Sequence, residues 1–151
     1  MALVCVLGSC GKSVETLRAE GERELAARQY DAAELTFRKL LQKEDKAAGH
    51  FGLGRALLGQ GKAAEAFPEL RNAVAADGTN RQARALLREL ALAGLQTDAR
   101  RPAILVELLE KMAKEDIAGQ RDAVEGWLVR AELAKLARRD DEAEAAYRKA
   151  M

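Results

Sequence analysis

Gly21 recurs as Gly54, Ala33 as Ala66, Phe37 as Leu70 and Leu40 as Ala73, so four positions of one segment return 33 residues later as glycine, alanine or another apolar residue. A fixed period of this length marks a chain built from small supersecondary units. Each is too small to bury its own apolar face and becomes stable by stacking on a neighbour. The residue types say which kind of unit it is. Ala and Leu fill 53 of the 151 positions, there are two prolines, and aromatic residues make up 4%, a mixture rich in helix formers and poor in strand formers. Hydrophobic residues reach 48%, enough for a shared core. The expected fold class is all-α.

The second unit reads as His50, Leu53-Gly54 and Leu57 on its first helix, Gly61-Lys62 at the inner turn, Ala66, Leu70 and Ala73 on its second helix, and Gly78 at the exit. The first unit supplies Leu17, Gly21, Ala33, Phe37 and Leu40, and the last supplies Trp127, Ala131, Ala134, Ala143, Tyr147 and Ala150. On these residues the chain resembles the tetratricopeptide repeat (TPR), whose pattern is W-x2-L-G-x2-Y, then A-x3-F-x2-A, then a closing proline. Small residues at 21, 54, 131, 33, 66 and 143 allow close helix approach, and Phe37, Leu70, Tyr147 and Trp127 fill the space beside them. The resemblance implies a right-handed α-solenoid of about four hairpins over residues 14–151. Because Met151 falls inside the last helix with no polar cap after it, the array is expected to continue beyond the given sequence, the alternative being that its open end meets another chain.

Between Arg81 and Gln120 the pattern loosens, although helices are still expected near Gln82–Leu95 and Pro102–Lys114. Leu105, Leu109 and Met112 take the second-helix slots after an inner turn lengthened by five residues, and Arg88 then stands where a small residue belongs. Pro102 suits a first helical turn. Pro68 lies inside a second helix, so a kink or a later helix start is expected there.

Met1 to Cys10 is the one long uncharged run, too short to span a bilayer. Leu7-Gly8-Ser9-Cys10 resembles a bacterial lipobox, which implies cleavage before Cys10, lipidation of its thiol, and a signal-and-tether segment over residues 1–13. No Lys or Arg precedes the run, which a start upstream of Met1 would explain. The alternative is an apolar segment packed on the first helix, with Cys5 and Cys10 as reduced thiols. Two cysteines near one terminus are not a disulfide framework. Gly11-Lys12-Ser13 is not the end of a phosphate loop, because Val6 stands where that loop needs glycine.

The net charge of +1 gives no field for nucleic acid, and the basic pairs Arg100-Arg101 and Arg138-Arg139 fall at turns with no aromatic residues interleaved. One His and two Ser leave little for a catalytic constellation, so the chain is read as a non-enzyme without cofactor or metal. His50 takes a bulky packing slot, with no second His or Cys nearby to make a metal site. Glu107, Glu110, Glu115 and Asp116 are expected on or near a helix surface, with nothing to shift them toward acid–base work.

The repeat resemblance implies binding of a protein or peptide in a concave groove lined by the first helices. By spacing, Arg18, Glu22, Phe51, Arg55, Glu125, Leu128, Glu132 and Lys135 would face it, each also readable as a solvated position in helical charge pairs. Phe51 is the best anchor, lying outside the small-residue slots. Glu22 and Arg55 do not reproduce the Lys, Asn and Arg set with which some repeats of this family clamp a partner's C-terminus. The order of segments is similar to TPR lipoproteins that accompany exopolysaccharide and PEP-CTERM sorting systems. The expectation is a lipid-anchored scaffold facing the periplasm. The alternative is a soluble cytoplasmic adaptor or co-chaperone without an anchor.

Overall fold

The computed structural model describes residues 12–43, 45–119 and 123–151, so the expectations for Cys5, the lipobox and Cys10 fall outside the described residues. Among those residues there are eight α-helices and no strand, as the composition required: α1 (Val14–Ala26), α2 (Tyr30–Gln42), α3 (Lys46–Gly59), α4 (Ala63–Ala76), α5 (Arg81–Thr97), α6 (Ala103–Ala118), α7 (Ala123–Leu136) and α8 (Asp140–Ala150). The chain forms two compact units, the first ending at Leu87 and the second running from Arg88 to Met151. Their boundary lies within α5.

Short polar residues start α1, α3 and α5. The Ser13 hydroxyl accepts from the Thr16 N–H at 3.2 Å, the Asp45 carboxylate from the Ala48 N–H at 3.3 Å, and the Asn80 amide oxygen from the Ala83 N–H at 3.0 Å. Three of the odd-numbered helices end alike. Gln29, Lys62 and Arg139 each donate a backbone N–H five residues back, to Glu24, Leu57 and Ala134, at 2.8, 2.9 and 2.9 Å. The residue before each donor is left-handed: Arg28 at φ 58°, Gly61 at 77° and Arg138 at 57°. These closures reverse the chain and set the next helix antiparallel.

In the first unit α2 packs on both α1 and α3, and α4 packs on α3. Phe37 is 1% exposed and sits between two glycines. A Cβ on Gly21 of α1 would lie 2.6 Å from its ring, and a Cβ on Gly52 of α3 would overlap three ring atoms. The same approach repeats at Gly54, whose added Cβ would lie 2.8 Å from Leu70. Gly49 and Gly59 of α3 are closed in the same way by Leu41 and Tyr30 of α2. Four glycines weaken α3 as an isolated helix by about 1 kcal/mol each, so its helicity is a product of packing.

In the second unit α7 lies against α6 and α8. A Cβ at Gly126 would stand 2.7 Å from the Ala113 carbonyl oxygen, which marks where α7 meets the α6 backbone. Arg88, standing where a small residue belongs, reaches Asp116 of α6 in an ion pair. Further along α5, an added Cβ on Gly94 would lie 2.9 Å from Leu105, and Ala91 is fully buried. Both α5 and α6 run past the expected ends at Leu95 and Lys114, and Pro102 is the residue before α6 rather than part of its first turn.

Helix α4 begins at Ala63 and continues through Pro68 to Ala76, so the later start expected from the proline does not occur. Proline has no N–H to give the Ala64 carbonyl, and its ring crowds that oxygen. Because Pro68 is exposed, Pro68→Ala restores the bond without opening a cavity. It is expected to stabilise the first unit by about 2 kcal/mol in urea denaturation followed by circular dichroism. An unchanged midpoint would mean α4 has adapted fully around the ring.

Glu34 ties α2 to the α3–α4 turn, accepting from Gln60 Nε2 at 2.8 Å and from Arg38 at 2.8 and 3.0 Å. The Gln60 amide first, then the Arg38 guanidinium, hold its carboxyl below the ordinary 4.5. A depressed folded pKa contributes stability above the unfolded value that is lost as pH falls through the folded value. Glu34→Gln should therefore lower Tm at neutral pH and leave a shallower loss of Tm below about pH 4.5.

Candidate functional site

Four of the residues expected at a groove meet on α1 and α3 of the first unit. Glu22 and Arg55 occupy equivalent repeat positions, and Arg55 Nη1 donates to both Glu22 carboxylate oxygens, at 2.7 and 2.9 Å. The Arg55 guanidinium also lies over the Phe51 ring, 5.3 Å from its centroid. Arg18 pairs with Asp45, the same carboxylate that caps α3. The Asp45 hydrogen bond comes first, and its charge second, in raising the Arg18 pKa above its ordinary value. These pairs are partly solvated, and each contributes at most about 1 kcal/mol to folding. The arrangement is a small, charge-balanced patch with one half-buried aromatic ring, whose ion pairs can exchange for contacts to a ligand.

The other four expected residues lie on α7 of the second unit, where 3.6 residues per turn places Glu125, Leu128, Glu132 and Lys135 on one stripe. Leu128 is 38% exposed, and Val124 beside it is more exposed still. Glu132 accepts from the Tyr147 hydroxyl and lies 3.9 Å from Lys135 Nζ. The bond to Glu132 is the main cause that raises the Tyr147 pKa. Glu125 approaches Arg88 at 3.9 Å. The two sets of four thus lie in different units, and each is gathered on its own helices.

His50 is half-buried, with Nδ1 2.7 Å from Glu69 Oε2 of α4. Among the described residues no three His, Cys, Asp or Glu side chains cluster as metal ligands, and no helix is long and apolar enough to cross a membrane. Asp116 is not the surface carboxylate expected of it. It is buried in α6, with Oδ2 3.2 Å from Arg88 Nη1. The basic pairs do stand at turns, Arg100 against Asp98, Arg139 against Glu142, and Arg101 donating to the Leu136 carbonyl.

The sequence reading gave Trp127 to packing and missed a cleft of about 630 Å³ between α6, α7 and α8. Trp127 forms one wall. Lys149 Nζ lies 4.4 Å from the ring centroid and the Arg130 guanidinium 5.3 Å. The available signal was the spacing of Trp127, Arg130 and Ala134, which share one side of α7 roughly opposite the Glu125–Lys135 stripe.

No protein-family model matches the chain, and comparison with curated proteins and with solved structures gave no match.

Proposed function

We propose that this chain is a non-catalytic interaction scaffold of the tetratricopeptide type, tethered to a bacterial membrane by lipid on Cys10, that takes a peptide or partner protein on the exposed faces of its odd-numbered helices. The observation that carries the binding part is the α1–α3 patch. Phe51 is half-buried under Arg55, and Arg55 joins Glu22 across equivalent positions of two repeats. An aromatic side chain outside the tightly packed slots, surrounded by weak and exchangeable ion pairs, is what a binding hot spot needs. The tether reading rests on Leu7-Gly8-Ser9-Cys10 alone.

Two measurements test the two parts separately. Intact mass of the protein made in a bacterium with its native N-terminus, beside a Cys10→Ala control, is expected to show a chain starting at Cys10 and carrying acyl mass in the membrane fraction only without the substitution. An unmodified soluble chain would replace the tethered scaffold with the cytoplasmic adaptor. For the patch, a photo-crosslinking amino acid at position 51 is expected to give a discrete adduct that Arg55→Glu removes. The same probe at Leu35, which is 61% exposed on α2, should give none. Equal crosslinking at both positions would remove the patch as the binding surface.

A further inference from the structure

The Trp127 cleft carries an inference that does not depend on the α1–α3 patch. Its lining holds four cations, Lys114, Arg130, Arg139 and Lys149, against two carboxylates, Glu110 and Glu142. That local excess of two positive charges stands out in a chain whose whole net charge is +1. Arg139 and Glu142 neutralise each other at 2.8 Å. Lys114, Arg130 and Lys149 form no ion pair with a carboxylate among the described residues, and Arg130 and Lys149 lie over the Trp127 ring. Cations of one protein that gather over an aromatic face repel one another, and an anion between them relieves this. The floor is apolar, formed by Leu133, Ala134 and Ala146.

From this combination we infer that the cleft between α6, α7 and α8 binds a short acidic peptide bearing an aliphatic side chain. Its carboxylates bridge Lys114, Arg130 and Lys149, and its aliphatic group rests on Leu133, Ala134 and Ala146. A free inorganic anion would leave the apolar floor uncovered, and a neutral apolar peptide would leave the cations unpaired. The volume of about 630 Å³ suits a few residues of extended chain.

Trp127 is the only tryptophan in the chain, so its emission reports on the cleft directly. The probes are the blocked peptide Glu-Asp-Leu-Asp-Glu, its amide analogue Gln-Asn-Leu-Asn-Gln, and inorganic phosphate. The acidic peptide is expected to give a saturable change in emission that weakens as salt rises, and the amide analogue none. Lys149→Glu and Arg130→Glu should each weaken binding about tenfold or more, while Arg71→Glu, at an exposed position of α4 in the first unit, leaves it unchanged. Lys149→Gln, at an exposed position, repeats the test if a charge reversal disturbs the helical circular dichroism spectrum. No saturable change, an equal response to the amide peptide, or phosphate binding as tightly as the peptide would each overturn the assignment.

Discussion

Gly52→Ala is expected to destabilise the first unit by about 3 kcal/mol, although on an exposed helix the same change would stabilise by about 1. The reversal comes from Phe37. An alanine Cβ at position 52 would overlap three atoms of its ring, and the ring is also hemmed in at its tip by Gly21 of α1, where an added Cβ would lie 2.6 Å from Cζ. Overpacking costs about 3 kcal/mol, and more where the neighbour is pinned, so it exceeds the gain in helix propensity. The effect must then depend on the ring. In a Phe37→Leu background, where the smaller side chain leaves room, Gly52→Ala should cost about 1 kcal/mol or less, a coupling of about 2 kcal/mol between the two positions. Urea denaturation of the four proteins in this cycle measures it. If Gly52→Ala alone raised the midpoint, α2 and α3 would not approach as closely as the packing requires.

The contrast between Gly21 and Gly52 shows what the sequence could reveal. Gly21 and Gly54 recur with the period because each faces the second helix of its own hairpin, which recurs as well, as Phe37 and Leu70. Gly49, Gly52 and Gly59 instead face Leu41, Phe37 and Tyr30 on α2, the helix before their own. One period earlier stand Thr16, Ala19 and Ala26, all exposed on α1, which has no earlier helix against it among the described residues. The pattern within a hairpin was therefore legible, and the pattern between hairpins was not, since it lacks a second instance to compare. At Arg88 the small residue of the pattern is missing, which puts close packing there in doubt, and an ion pair to Asp116 of α6 stands at that position instead. At the candidate sites, Arg18, Glu22, Phe51 and Arg55 could be placed by period alone. Trp127 fell in a packing slot of the same pattern, and its approach to Lys149 of α8 could only be seen once the helices were folded together.

Asp116→Ala is expected to cost the second unit about 3 kcal/mol, the other large effect and one that the sequence reading would have set near zero for a surface carboxylate. The Asp116 side chain is 4% exposed and that of its partner Arg88 17%, so the pair joins α6 to α5 away from bulk water. Removing the carboxylate leaves a guanidinium that stays largely buried, with Glu125 of α7 at 3.9 Å as a second, more distant anion. A desolvated charge without its main partner is costly, whereas the intact pair is worth little beyond an apolar contact of the same shape. The double variant Arg88→Met/Asp116→Leu is accordingly expected to recover the part of the loss that comes from the stranded Arg88, and Arg88→Met/Asp116→Ala less of it, because the latter also leaves a void. Chemical denaturation of the second unit's helices in all three proteins would decide the matter. A double apolar variant no more stable than Asp116→Ala would mean that the loss does not come from stranding Arg88, and would overturn this account of the pair.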